Sequence, residues 1–233
     1  MRSLIFDTSS IITLAMNNLL DVLKELKSKF DGEFYISEAV KKELIDYPLT
    51  TRRFKLEALI TQELLTSKII NLNPDRKAKE KAIYLLDLVN RIYKTDRGYI
   101  KILHAGEVES LALAIILNSD AYVVDERTIR VLIENPDSLL RLLEEKLHTK
   151  VSLNKENLDK LREEVKDLKI IRSTELSVIA YEKGLLDKYI KRNNSIEKEL
   201  KRTLLDGLLW GLRLKGCSIS TDEIENILKL EKV

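Results

Sequence analysis

Five short apolar runs alternate with long helical patterns along this chain, and that alternation limits what the chain can fold into. The runs, each of strand length, are SLIF at 3–6, EFYI at 33–36, KIINL at 68–72, AYVV at 121–124 and LKII at 168–171. Helical patterns cover 10–28, 37–46, 51–66, 75–94, 106–118, 126–133, 137–147, 153–166, 174–184, 195–214 and 221–229. Single strands separated by helices predict an α/β fold with a mainly parallel central sheet.

The chain shows no internal boundary. Its 233 residues are enough for one large domain, and no Gly/Ser/Pro-rich linker or internal repeat divides them. We therefore predict a single domain over 1–233, with a helical insertion at about 131–167 and C-terminal helices over 174–229. The insertion holds nine acidic and seven basic residues, so it is not an obvious RNA-binding arm.

Composition excludes several classes of protein. Cys217 is the single cysteine and there are two histidines, which makes a disulfide impossible and a structural zinc site improbable. The longest apolar stretches, such as LALAIIL at 111–117, are too short to span a bilayer. The net charge is only +2, so any basic surface must be local. We expect a cytoplasmic protein in a reducing compartment, with no membrane partner.

Two of the predicted strands end in an aspartate. SLIF runs into Asp7, and AYVV runs into Asp125. Ligands gather at the carboxyl ends of strands in open parallel sheets, so these carboxylates converge if their strands are neighbours. Each aspartate also precedes a helix start, so an N-cap is the alternative for either one alone.

Two glutamates belong to the predicted helices. Glu107 lies in the first turn of the helix that follows Gly106, and Glu43 lies at the edge of the buried stripe of its own helix. Taken singly, Glu107 and Glu109 fit a role in complementing the helix dipole, and Glu43 fits a solvated charge. Asp120 and Glu109 are weaker candidates for a site, since most acids are solvated.

Together, these acids give the chain a resemblance to the PIN domain, a nuclease fold. The resemblance rests on LIFDTSSIITL with Asp7, YISEAVKKELI with Glu43, and HAGEVESLALAIILNSDAYVVDERTIR with Glu107 and Asp125. STELSVIAYEKGLL resembles a further run of one PIN branch, with Ser173 where glycine is usual. The resemblance implies a three-layer α/β/α sandwich around a mainly parallel sheet, here with extra helices.

The resemblance also implies a metal-dependent ribonuclease. Asp7, Glu43, Glu107 and Asp125 would be the catalytic acids, because carboxylates that converge need a cation to stay ionised together. Oxygen ligands select Mg²⁺ or Mn²⁺, which support in-line phosphodiester hydrolysis. Asp7, Asp125 and Glu107 would bind the metal, and Glu43 would hold a second ion or a metal-bound water. The expected products carry a 5′-phosphate and a 3′-hydroxyl.

Neighbouring residues would support these acids. Thr8 or Ser9 would hydrogen-bond the carboxylates, and Glu126 stands where many relatives have a second acid.

Basic residues near these motifs are candidates for RNA contacts. Those we predict to bind RNA are Arg91, Lys94, Arg97, Lys101, Arg127 and Arg130. The first four are interleaved with Tyr93 and Tyr99, which suit base stacking. The alternatives are a solvated helix end with both tyrosines packed inward, and carboxylate pairing for Arg127 and Arg130.

Other functions fit the sequence less well. An aspartyl-phosphate phosphatase needs a second aspartate where Ser9 stands, and no glycine-rich phosphate loop is present. The serious alternative is a catalytically silent PIN-like module that binds RNA or a protein. Small PIN ribonucleases are often toxins, so an antitoxin-like partner is expected beside RNA, and a homodimer is expected from relatives. A role in RNA processing is equally tenable.

Overall fold

The computed structural model describes residues 2–190 and 197–231. Its strands are β1 (Ser3–Phe6), β2 (Glu33–Ile36), β3 (Asn71–Leu72), β4 (Tyr93–Thr95), β5 (Gly98–Tyr99), β6 (Ala121–Val123), β7 (Ser152–Leu153) and β8 (Ile170–Ile171). The helices up to the sixth strand are α1 (Thr8–Met16), α2 (Leu20–Lys29), α3 (Glu38–Lys41), α4 (Tyr47–Thr50), α5 (Lys55–Thr66), α6 (Arg76–Val89) and α7 (Ala105–Ile116). Those that follow are α8 (Arg127–Glu134), α9 (Pro136–Leu147), α10 (Lys155–Val165), α11 (Ser173–Glu182), α12 (Glu197–Leu214) and α13 (Thr221–Leu230).

The central sheet confirms the predicted α/β fold. Its strand order is β3-β2-β1-β6-β8, and every neighbouring pair is parallel. All five strands coincide with the five predicted apolar runs, although β3 and β8 are shorter. β1 lies in the middle, so β2 and β6 are its two neighbours. The carboxyl ends of β1 and β6 therefore meet at one edge of the sheet, as the argument from Asp7 and Asp125 requires.

Both faces of the sheet are covered, which explains why β1 is apolar at each position from Leu4 to Phe6. Leu4 and Phe6 pack into a core with the α1 and α2 helices, whereas Ile5 packs into a second core with α6 and α7. Phe6 lies 5.3 Å from Phe34 of β2, measured between ring centroids. Side chains of a strand alternate between faces, so a strand buried on both sides reads as a continuous apolar run.

A small second sheet was missed by the sequence analysis. β4, β5 and β7 pair antiparallel in the order β5-β4-β7. The predicted helix at 75–94 is therefore wrong beyond Val89, and the predicted helix at 153–166 begins only at Lys155. Asn90 ends α6, and its side chain bonds the backbone of Ile102 and Leu103, which turns the chain back along β4 and β5.

The predicted helix at 10–28 is also wrong, because two helices occupy it. Asn18 has a positive φ of 56°, a conformation that asparagine tolerates and that no helix interior contains. α1 ends at Met16 and α2 begins at Leu20.

The segment predicted as an insertion contains the second half of α8, followed by α9, β7 and α10. The chain then returns to the central sheet at β8, which favours the predicted single domain; the organisation itself stays a prediction. Residues 195 and 196 of the predicted helix at 195–214 lie outside the described residues, and α12 covers the rest. Within 2–190 and 197–231, no helix is long and apolar enough to cross a membrane.

Candidate active site

Asp7 is buried at the carboxyl end of the central strand. Its side chain is 5% exposed, and one oxygen, Oδ2, accepts hydrogen bonds from the Ser9 amide at 3.1 Å and the Ser9 hydroxyl at 2.7 Å. Asp7 is thus the N-cap of α1, as the alternative reading held. Burial raises the pKa of Asp7 to about 6, although the Ser9 bonds oppose the rise, and Glu43 adds to it by repulsion. Helix capping alone does not require burial of the carboxylate, because an exposed aspartate caps a helix equally well.

Ser9 ties the ends of β1 and β6 together. Its hydroxyl donates to Asp7 and accepts from the backbone amides of Asp125 and Glu126, at 3.0 and 3.2 Å. The Asp7 amide in turn donates to the Val123 carbonyl at 2.9 Å. The predicted supporting role of Ser9 thus has a geometric basis, because this one hydroxyl fixes both strand ends.

The Asp125 carboxylate is held from the C-terminal side. Oδ1 accepts from the Ser173 amide at 2.8 Å and Oδ2 from the Ser173 hydroxyl at 2.6 Å. The Cys217 sulfur lies 3.4 Å from Oδ1, and Asp125 is 2% exposed. Asp125 does not cap α8, because Glu126 does so by accepting from the Ile129 amide at 2.8 Å. Asp125 is therefore placed by donors that lie 48 and 92 residues further along the chain.

Glu43 reaches the end of β1 from a π-helical turn. The helix that begins at α3 widens into this turn over Lys42–Asp46, a local irregularity often found at functional sites. Glu43 is exposed, and its Oε2 accepts from the Thr8 hydroxyl at 2.9 Å. Thr8 is the neighbour of Asp7, so this bond brings Glu43 beside the buried carboxylate, in agreement with their mutual repulsion.

Glu107 and Glu109 both serve helix starts. Glu107 is half-buried and accepts from the His104 amide at 2.7 Å, which forms the capping box of α7. Glu109 accepts from the Ala39 amide at 3.0 Å and so anchors the first turn of α3 against α7. Glu109 is therefore a structural link between these helices, and Glu107 keeps one carboxylate oxygen without a hydrogen-bond partner among the described residues.

The Tyr122 hydroxyl lies among these acids. Tyr122 is fully buried on β6, and its oxygen has no hydrogen bond of good geometry within the described part of the chain. Burial raises the pKa of this phenol well above its ordinary value, and the charges of Asp7, Glu107 and Glu126 raise it further. A buried hydroxyl without a partner is rare in proteins. Tyr122 was missed by the sequence analysis, because a tyrosine inside an apolar strand reads simply as core.

The donors fit a hard divalent cation in chemistry, since they are carboxylate and hydroxyl oxygens. The positions of these side chains are less favourable. Among the described residues, no three His, Cys, Asp or Glu side chains are gathered closely enough to hold a metal ion. One oxygen of Asp7 and both oxygens of Asp125 accept from serine donors, and one oxygen of Glu107 accepts from the His104 amide. A metal site would require some of these side chains to rearrange.

The predicted RNA-binding residues fall into two groups. Arg91 is paired with Asp87 at 2.8 Å, and the half-buried Arg130 donates to the Ser218 carbonyl at 3.1 Å. Arg130 also lies 3.9 Å from Glu134, so the carboxylate pairing considered for it is present.

The other four are exposed: Lys94, Arg97, Lys101 and Arg127. The Lys94 ammonium lies 5.5 Å from the ring centroid of Tyr99, which is 50% exposed, whereas Tyr93 is fully buried and bonds the Pro136 carbonyl. One tyrosine packs inward and the other is available for stacking.

Comparison with known families agrees with this architecture. Residues 3–137, more than half of the chain, match the family model DUF3368, described as a PIN domain. The chain belongs to this PIN-domain family. PIN domains are generally nucleases, and they typically use divalent metal ions. No curated protein and no solved structure matches the chain. The matched region contains Asp7, Glu43, Glu107 and Asp125 and ends at the start of α9.

Proposed function

We propose that this protein is a metal-dependent endoribonuclease that hydrolyses phosphodiester bonds of RNA through Asp7, Glu43, Glu107 and Asp125. The observation that carries the proposal is the position of Asp7. Its carboxylate is buried at the end of the middle strand, carries a pKa of about 6, and has Glu43 and the unpartnered Tyr122 hydroxyl as neighbours. A buried acid with a raised pKa and a second acid beside it is typical of functional sites.

The residues of the chain would act in distinct ways. Asp7, Asp125 and Glu107 would hold Mg²⁺ or Mn²⁺, which supplies charge neutralisation and an activated water to phosphodiester hydrolysis. Thr8 orients Glu43, and Ser9 and Ser173 orient the two aspartates, so that the carboxylates keep fixed directions. Glu126 remains a supporting residue that caps α8 beside the site.

The test is nuclease activity on a mixed RNA pool with Mn²⁺. We expect the wild type to cleave and both Asp7→Asn and Asp125→Asn to lose at least about a hundredfold in rate, as expected for loss of a metal ligand. Asp120→Asn is the matched control, since Asp120 lies at the opposite end of β6 and bonds Ser3 and Arg2. Equal cleavage by all four proteins would indicate a contaminant and refute the assignment.

A second function is favoured by one observation. The absence of a three-carboxylate group among the described residues fits a catalytically silent module that binds RNA or protein. Calorimetric titration separates the two functions, because the nuclease must bind Mg²⁺ or Mn²⁺ at millimolar concentration and the silent module need not.

Partners belong to the same proposal. Besides RNA, an antitoxin-like protein or a second copy of the chain would have an apolar surface to cover on α1 and α5, where Ile12, Met16, Leu56 and Leu59 are exposed. Action in the cytoplasm, as a toxin or in RNA processing, is part of the proposal as well.

A further inference from the structure

A groove of about 700 Å³ lies beside the candidate active site, and we call it the α8–α9 groove. Lys101 and Ile102 line one side, Arg127 and Thr128 at the start of α8 line another, and α9 forms the far wall. The family match ends at residue 137, so nearly all of this wall lies outside the matched residues.

Two sides of the groove lie close along the chain to two of the acids, although none of the four acids lines it. Arg127 follows Asp125 by two residues, so their Cα atoms are at most about 7 Å apart. Ile102 precedes Glu107 by five residues, and the intervening chain is bonded to that glutamate through the His104 amide. The side of the groove formed by Arg127 is therefore the side nearer to Asp125.

The charges in the groove are uneven. Lys101, Arg127 and Lys146 line it, and none has a hydrogen bond or ion pair to another described residue; Glu145 is the one acid among the lining residues. Other basic residues of the described surface, such as Arg91 and Lys160, are neutralised by acidic partners. Three cations left without partners around one opening favour a polyanion.

The shape and the lining narrow the class of polyanion. Much of the lining is aliphatic, with Val131 and Leu143 among its residues. Apolar side chains suit unpaired bases, and the cations suit phosphates. The volume of the groove suits about one or two nucleotides of a single strand.

We infer that the α8–α9 groove binds single-stranded RNA next to the scissile position, with Lys101, Arg127 and Lys146 contacting phosphates. The inference rests on the proposed ribonuclease function, because that function places the scissile bond at the acids. Binding of RNA to the groove is nevertheless measurable without cleavage. It also assigns a task to part of the inserted segment, whose overall charge gave no such indication.

The experiment measures binding of a fluorescein-labelled, 12-nucleotide single-stranded RNA by anisotropy, in EDTA so that no cleavage occurs. We expect Lys146→Gln to weaken binding on the order of fivefold and to lower the salt slope by about 0.7, the value for one lost single-strand phosphate contact. Glu145→Gln should strengthen binding, because it removes the acid that opposes the phosphates. Lys183→Gln, at an exposed lysine after α11 and outside the groove, is the matched control and should change neither quantity.

The outcomes separate this inference from the proposed function. Unchanged affinity in Lys146→Gln, or an equal loss in Lys183→Gln, overturns the groove assignment even if the wild type cleaves RNA with Mn²⁺. A loss confined to Lys146→Gln supports it even if no cleavage is ever observed. Preference for a glutamate-rich peptide over RNA, with the same dependence on Lys146, would overturn it in favour of a protein ligand.

Discussion

Replacing Asp7 by asparagine should stabilise the protein while it abolishes activity. The carboxylate is buried, and burial raises its pKa from the ordinary 3.8 to about 6. Below pH 3.8 the group is neutral in both the folded and the unfolded chain, so it contributes nothing to the pH dependence. Between pH 3.8 and 6 the unfolded chain releases the proton more readily, and stability therefore falls as the pH rises.

The magnitude follows from the two pKa values. Each pH unit between them corresponds to about 1.4 kcal/mol, so ionised Asp7 lowers the free energy of unfolding by about 3 kcal/mol above pH 6. An amide accepts the Ser9 bonds less strongly than a carboxylate, which offsets part of this gain. We expect Asp7→Asn to be about 1–3 kcal/mol more stable than the wild type at pH 7.5, and to show almost no gain at pH 4.

Urea unfolding in EDTA at the two pH values measures this difference. Asp120→Asn is the control. Partial burial raises the pKa of Asp120, but the hydrogen bonds from the Ser3 amide and from Arg2 lower it by more, so the pKa is lowered overall. Its substitution should therefore destabilise at pH 7.5. An Asp7→Asn protein less stable than the wild type at pH 7.5, or a gain of equal size at both pH values, would refute the reasoning.

Two further predictions concern the framework of the site. Asn90→Ala should lower the free energy of unfolding, measured by urea titration, by about 2–4 kcal/mol. The substitution removes three hydrogen bonds to the backbone ahead of α7 and leaves buried groups unsatisfied. A loss below about 0.5 kcal/mol, which is that of an ordinary surface change, would contradict the prediction. Cys217 should react with a thiol reagent only at the rate of unfolding. Its side chain is 3% exposed, and burial raises the pKa of the thiol to about 11. Rapid labelling of the native protein at pH 8 would contradict this prediction and show that the loop around Cys217 opens.

The central sheet was predictable because each of its strands coincides with a short apolar run in the sequence. In SLIF, Leu4, Ile5 and Phe6 are consecutive and apolar, as expected of a strand that is covered on both faces. The second sheet lacked that signal. β4, β5 and β7 are two or three residues long, and Tyr93 and Leu153 fall within patterns that also suit helices. Their pairing depends on contacts between residues 93 and 153, which no local pattern reveals.

Only part of the candidate site was predictable. Asp7, Glu43, Glu107 and Asp125 could be named from spacing and resemblance, and Thr8 and Ser9 as hydrogen-bond donors to carboxylates. The donors to Asp125 and Glu107 could not be named. Ser173 was noted as a departure from glycine, and its hydroxyl proves to bind Asp125 directly. The role of Tyr122 depends on which face of β6 it occupies and on what lies above it, which are tertiary properties.

The two donors that hold Asp125 have a consequence for folding. Asp125 meets Ser173 and approaches Cys217, so the carboxylate remains without these partners until the chain has closed loops of 48 and 92 residues. Closing loops of that length slows folding, because the chain loses conformational entropy before the contacts that compensate for this loss can form. During synthesis Ser173 and Cys217 emerge after β1 and β6, so the Asp125 carboxylate gains these partners only when both strands are complete.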